Sequence, residues 1–116
     1  MARQSAKYIM VNQTIDVGYT ISDHFPLDFI YGYSIDISLA SASDANVDGA
    51  MYLLATNDES KPQSEWAPVD GSTIYFKGDL NHLYNVQWPM YRHVCLCIKL
   101  DSGLMTANVN FYCKGM

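Results

Sequence analysis

Charged residues are scarce in this chain of 116 residues, and positive charge is scarcer than negative charge. Seven Lys and Arg stand against twelve Asp and Glu, so the formal net charge is −5. Because binding to a phosphate backbone needs clustered Lys and Arg, and no such cluster occurs, the sequence predicts no nucleic-acid partner. With 49% hydrophobic residues, the chain is also too apolar to be disordered.

Long apolar runs and cysteine pairs are missing as well. No stretch of 18 apolar residues occurs, and residues 1–7 contain no apolar signal core, so we expect neither a membrane span nor Sec-type secretion. The three cysteines are Cys95, Cys97 and Cys113, and an odd number without a signal peptide argues against a disulfide framework. We expect them to be reduced and partly buried; a cross-subunit or metal contact is the alternative.

Short strands are the main feature that is present. Nine Tyr, four Phe, two Trp and many β-branched residues lie in short runs separated by Gly, Asn, Asp and Ser. This pattern predicts an all-β protein, an antiparallel β-sandwich of jelly-roll-like architecture, as one domain over residues 1–116. The expected strands are 7–12, 14–20, 33–41, 50–56, a short one at Trp66, 73–76, 82–88, 92–100 and 105–113, with 24–31 confined by Pro26 to an edge or a strand start.

The strongest local prediction is a hairpin of strands 92–100 and 105–113 around a turn at 101–103. Along the first of these strands one face carries apolar residues, and the other carries His93, Cys95 and Cys97. That second face is apolar for a surface in contact with water. Either a neighbouring loop covers it, or it is a subunit or partner contact.

Motifs of enzymes and metal sites are missing. The sequence contains no glycine-rich phosphate loop, no nucleophile elbow and no zinc-protease helix motif. The histidines His24, His82 and His93 lie far apart, and none has a carboxylate or cysteine at ligand spacing. The sequence therefore predicts no catalytic residue, no metal and no cofactor.

The segment 57–59 (Asn-Asp-Glu) is interpreted as turn-forming, with a contribution to calcium binding as the alternative.

The abundant Tyr and Trp residues allow three interpretations: core packing, a subunit or partner interface, or a platform on which sugars stack. For the last of these, the candidate residues are Tyr75, Tyr84 and Trp88. A host-surface glycan is the corresponding ligand.

A pattern over roughly residues 35–115 resembles small β-sandwich, jelly-roll-like structural and decoration proteins of tailed bacteriophages. In these a strand ends in Ser/Thr-Asn-Asp, a Trp opens the next short strand, and Tyr-Arg-(aromatic or His)-Val and a Ser-Gly turn follow. The matching segments are MYLLATND (51–58), WAPV (66–69), GST (71–73), YRHV (91–94), SG (102–103), NVN (108–110) and KG (114–115). The chain departs from that pattern at Lys61-Pro62, where a glycine-containing turn is more usual, and in its cysteines.

The resemblance implies a non-enzymatic virion protein, made in the host cytoplasm and located on the capsid surface. A decoration or cement protein is the first hypothesis; a head-fibre or tail-adaptor protein and a carbohydrate-binding or adhesin-like module are the alternatives. The implied partners are the major capsid protein or another virion protein, and copies of the chain itself in a dimer or trimer. Residues 1–12 are a candidate extended arm for gripping the capsid. The candidate interface residues are Tyr8, Met10, His93, Cys95, Cys97 and Tyr112.

Overall fold

The computed structural model describes residues 3–42 and 46–115. Over those residues the chain forms ten strands and a short 3-10 helix at Gln63–Glu65. The strands are β1 (Arg3–Ile15), β2 (Gly18–Ile21), β3 (Phe25–Pro26), β4 (Ile30–Ser41), β5 (Asp48–Thr56), β6 (Ala67–Pro68), β7 (Ile74–Phe76), β8 (Leu80–Gln87), β9 (His93–Ser102) and β10 (Met105–Gly115). Residues 1–2 of the predicted arm, and part of the loop that follows β4, lie outside the described residues.

The strands form two antiparallel sheets between which the chain passes repeatedly. Sheet A has the order β1-β10-β4-β8. Sheet B has the order β2-β9-β5-β6, with β3 also paired to β9 and β7 to β5. Several neighbours, such as β1 with β10 and β2 with β9, are distant in sequence, as in a jelly roll, where two Greek keys wind around one core. The predicted all-β, jelly-roll-like sandwich is confirmed.

The core lies between the inner faces of the two sheets and follows from residues that alternate with a period of two. In β4, Ile35, Ile37 and Leu39 point inward and are almost completely buried. The central strands β9 and β10 contribute the largest further sets, and each such aliphatic side chain stabilises the fold by about 1.5–3 kcal/mol on burial. Their inward residues are Val94, Leu96, Ile98, Leu100, Met105, Ala107, Val109, Phe111 and Cys113.

The predicted hairpin of β9 and β10 is wrong. Strand β9 pairs with β2, β3 and β5 in sheet B, whereas β10 pairs with β1 and β4 in sheet A. The turn around Gly103 therefore carries the chain across the core from one sheet to the other. Alternation of apolar and polar residues shows which face of each strand is buried. The same pattern occurs whether two strands pair within one sheet or pack against each other across the core from different sheets.

The N-terminal segment also differs from expectation. Residues 3–12 of the predicted arm belong to β1, which pairs with β10 from Arg3↔Gly115 to Ile15↔Met105. They therefore form an edge strand of sheet A, and their use as an arm that grips a capsid stays a prediction. The predicted strand 14–20 is interrupted at residues 16–17, where the chain leaves sheet A for β2 of sheet B.

Gly103 gives a test of this crossover. Its φ is +95°, and a Cβ atom there would lie 2.6 Å from the carbonyl oxygen of Asn46 and 2.7 Å from a methyl group of Val47. Gly71 has a similar φ of +76° but open space around it. Positive φ costs a non-glycine residue about 1–2 kcal/mol, and crowding adds roughly 1–3 kcal/mol. We expect Gly103→Ala to lower the free energy of unfolding in urea by more than Gly71→Ala does. Equal losses would contradict the tight crossover.

Candidate functional site

A group of apolar side chains, three exposed and one half-buried, lies at the end of the sandwich where β4 begins and β8 ends. We call this group the apolar rim; its members are Phe29, Trp88, Met90 and the half-buried Tyr31. Phe29, Trp88 and Met90 are 71%, 69% and 89% exposed. The segments that carry them, at 27–31 and 87–92, come together because Gly32 of β4 pairs with Gln87 of β8.

The backbone holds two rim residues in an unusual conformation. Phe29 and Trp88 have φ values of +64° and +51°, in the left-handed region that non-glycine residues rarely occupy. The amide N–H of Trp88 donates to the carbonyl of Tyr31 at 2.7 Å, and the two rings lie 5.7 Å apart. Because nothing in the core requires these exposed rings, the strained backbone is typical of positions kept for binding.

An ion pair joins the two chain segments that carry the apolar rim. Arg92 donates through Nε and Nη2 to the two carboxylate oxygens of Asp28, at 3.1 and 3.2 Å. The hydrogen bond from Arg92 lowers the pKa of Asp28 below its usual value. The amide of Leu27 donates to the carbonyl of Arg92 at 2.7 Å, and the amide of Arg92 donates to Asn57 Oδ1 at 3.0 Å. These bonds tie the two rim segments to each other and to the loop after β5.

A shallow groove runs from the rim along the outer face of sheet A. It combines aromatic rings with amide, hydroxyl and ammonium groups. The register explains this composition, because Tyr112, Ser34 and Asn85 lie side by side on β10, β4 and β8. The residues that line the groove include Tyr31, Ser34, Leu83, Asn85, Tyr112 and Lys114.

The outer face of β9 is covered by the loop between β5 and β6. Trp66 is buried over Leu54, Cys95 and Cys97, and its indole N–H donates to the carbonyl of Lys61 at 2.9 Å. The side chain of Gln63 donates to the carbonyl of Ser22 at 2.8 Å and fixes the loop to the other edge of the sheet.

This cover decides between the two interpretations of the β9 face. His93, Cys95 and Cys97, all candidate interface residues, are buried beneath the chain's own loop and are out of reach of a partner in this conformation. Burial raises the pKa of the Cys95 thiol to about 11, and it also raises the pKa of Cys97. All three cysteines are buried, as the sequence predicts, and Cys95 and Cys97 are free thiols.

The remaining interface candidates separate into two groups. Tyr8 and Tyr112 are exposed on the outer face of sheet A and stay candidates. Met10 is buried in the core, so a partner would reach it only if β1 moved away from the domain. Strict alternation would place Tyr8 and Met10 on one face, but a bulge in β1 between them turns Met10 inward.

The three candidate sugar-stacking residues do not form one platform. Tyr84 is buried, and its hydroxyl donates to the carbonyl of Ser72 at 2.7 Å, so its ring cannot stack on a sugar. Tyr75 is exposed on β7 of sheet B, whereas Trp88 lies beyond the end of β8 of sheet A. Only Trp88 lies beside the groove.

The segment after β5 forms a turn, as the sequence predicts. Asp58 Oδ1 accepts hydrogen bonds from the amide and the hydroxyl of Ser60, at 3.0 and 2.6 Å. These bonds lower the pKa of Asp58 and form an Asx turn.

Two of the three histidines meet in the fold, which the sequence did not predict. The rings of His24 and His93 have their centroids 5.5 Å apart, whereas His82 packs against Tyr84. His24 precedes β3 and His93 begins β9, and these strands pair through Pro26↔His93. Only the pairing of strands distant in sequence brings the two imidazoles together, so no local spacing could have revealed it.

No helix among the described residues is long and apolar enough to cross a membrane.

No family model matches the chain, and no curated protein does. Among solved structures, the crystal structure of the SPBc2 prophage-derived protein YomS is similar, with a TM-score of 0.59 and 9% identity over 99% of this chain and 96% of that one. The coat protein dimer of Tobacco streak virus gives a TM-score of 0.45 and 13% identity, over 98% and 86%. At such identities the likeness to YomS concerns the fold alone, and the coat protein match is too loose to support more.

The Trp66 cover can be tested with thiol chemistry. Trp66→Ala leaves a cavity over sheet B, so we expect the free energy of unfolding to fall by about 3–5 kcal/mol. Cys95 and Cys97 should then react with Ellman's reagent much faster than in the unchanged protein. Trp88→Ala is the matched control, because it removes an exposed indole and should leave thiol reactivity unchanged. Unchanged reactivity in Trp66→Ala would contradict the role of Trp66 as a cover.

Proposed function

We propose that this chain is a non-enzymatic structural protein of a phage virion, a decoration or cement protein that binds the outer surface of the head and stabilises it. Its partners are the major capsid protein or another virion protein. The jelly-roll fold, the fold likeness to a prophage-derived protein and the sequence resemblance to phage structural proteins all support this role.

The apolar rim is the observation that carries this proposal. The interior of the sandwich is filled by core side chains. The exposed side chains of the apolar rim lie outside this core, where a partner can cover them. Aromatic residues and Met are enriched at protein interfaces, and the rigid aromatic rings bury much area with little loss of side-chain entropy. The Asp28–Arg92 pair and the Trp88–Tyr31 hydrogen bond hold the rim in place before binding, which lowers the entropy lost on association.

A cement protein acts by bridging neighbouring capsid subunits. Each contact is modest, but repeated contacts around a symmetric shell raise the effective affinity without any new interaction. A dimer or trimer of this chain would match the symmetry axes of such a shell. The outer face of sheet A, with Tyr8 and Tyr112, is the surface we assign to contact between copies.

Binding to empty sites on particles tests the rim. We expect Trp88→Ala to weaken binding to purified heads that lack the chain by at least about tenfold, because exposed aromatic anchors dominate interface energies. Tyr75→Ala removes an equally exposed ring from sheet B and should bind normally. Both variants should keep the thermal unfolding midpoint of the unchanged protein.

Two results would count against the role. If Trp88→Ala and Tyr75→Ala bind alike, the rim is not the contact surface. If the chain is absent from purified particles, or if particles without it survive osmotic shock as well as complete ones, the cement role fails.

A carbohydrate-binding role is the second candidate, and the groove on sheet A favours it. An aromatic ring beside amide and hydroxyl groups suits a sugar, which offers an apolar face and polar edges. We expect titration with fragments of host-surface polysaccharide to shift the NMR signals of Tyr112 and Asn85, and Tyr112→Ala to abolish the shifts while Tyr75→Ala leaves them. Absence of shifts with every fragment would exclude this role.

A further inference from the structure

Three side chains with metal-binding atoms meet at one end of sheet B, away from the groove. One nitrogen of His24, one of His93 and one carboxylate oxygen of Glu59 all lie within 4.8 Å of one another. His93 Nε2 and Glu59 Oε2 are 3.8 Å apart, longer than a hydrogen bond. This is the one such group among the described residues.

Strand pairing accounts for the meeting. His93, the first residue of β9, lies between Pro26 of β3 on one side and Thr56 of β5 on the other. His24 comes immediately before β3, and Glu59 follows β5 in the turn that Asp58 stabilises. The three groups thus come from three adjacent strand ends and would join three segments of the chain.

His93 itself points to a missing ligand. Its side chain is 5% exposed, and its Nδ1 atom is buried without a hydrogen-bond partner. A buried polar atom that is left without a partner destabilises a protein by about 1–3 kcal/mol. Coordination through Nδ1 would give this atom the partner that no hydrogen bond among the described residues provides.

We infer that His24, Glu59 and His93 form a binding site for a divalent transition-metal ion, with Zn²⁺ as the best match. Two imidazoles and one carboxylate are a usual zinc set, with water in the fourth position, whereas Ca²⁺ needs six to eight oxygen ligands. Zinc bonds of about 2.0–2.2 Å require ligand atoms somewhat closer than they are here. His24 and Glu59 are exposed and free to close on the fixed His93. The neighbouring positive charge, on Arg92, is balanced by Asp28.

The metal would fasten the loop that covers sheet B. Glu59 and Trp66 belong to the same loop, and Trp66 lies close to both histidines, with ring centroids 5.5 Å from His24 and 6.2 Å from His93. Binding would therefore hold Trp66 over Cys95 and Cys97 and would be reported by the fluorescence of Trp66.

The test uses the full chain after treatment with EDTA. In a Trp88→Phe background Trp66 is the only tryptophan, and we expect Cu²⁺ to quench it at one equivalent. Calorimetry should show one Zn²⁺ bound per chain, and saturating Zn²⁺ should raise the unfolding midpoint by roughly 5–10 °C. His24→Ala and Glu59→Gln change exposed side chains, so they should fold normally and lose at least about tenfold in Zn²⁺ affinity.

His82→Ala and Glu65→Gln are the matched controls, one imidazole and one exposed carboxylate outside the group, and they should bind as the unchanged protein does. The inference is overturned if 100 µM Zn²⁺ produces no binding heat and no midpoint shift. It is equally overturned if His24→Ala and Glu59→Gln keep full affinity, or if His82→Ala loses as much as they do.

Discussion

Residues 93–98 are buried without interruption, so β9 needs apolar neighbours on both sides of sheet B. On the inner side the core supplies them, because Val94, Leu96 and Ile98 face sheet A. On the outer side the loop between β5 and β6 must supply them, and Trp66 does so. The free energy gained by removing this second face from water fixes the loop in place, and the loop in turn brings Glu59 to the two histidines.

The sequence was sufficient for those features that depend on alternation within one strand. The inward faces of β4, β9 and β10 follow directly from a period of two, and so does the all-β class. Pairing between strands is a different matter. The β9–β10 hairpin was wrong because alternation does not tell pairing within a sheet from facing across a core. The burial of Met10 could not be predicted, because the bulge that shifts the register of β1 leaves no trace in the hydrophobic pattern.

The candidate site was harder to predict than the fold. The apolar rim depends on Phe29 and Trp88, which both have a positive φ. A positive φ at these positions cannot be predicted from the residue type. The meeting of His24 with His93 depends on the pairing of β3 with β9. In both cases the decisive contacts join segments that are distant in sequence, so they exist only once the topology is formed.

The molecule combines a closely packed interior with an exposed apolar rim. The inward faces of the central strands fill the core, and hydrogen bonds and the Asp28–Arg92 ion pair hold the segments of the rim at one end of the sandwich. A protein with that distribution is suited to covering another protein surface. The proposed metal site would stabilise the loop that covers sheet B, which is also the loop to which Arg92 joins the rim.

A cryo-electron microscopy reconstruction of particles that carry this chain would show whether the apolar rim contacts the capsid. We expect density for the sandwich on the outer surface of the head, with Phe29, Trp88 and Met90 buried against a capsid protein. Density in which these side chains face solvent, or particles without any density for the sandwich, would contradict it.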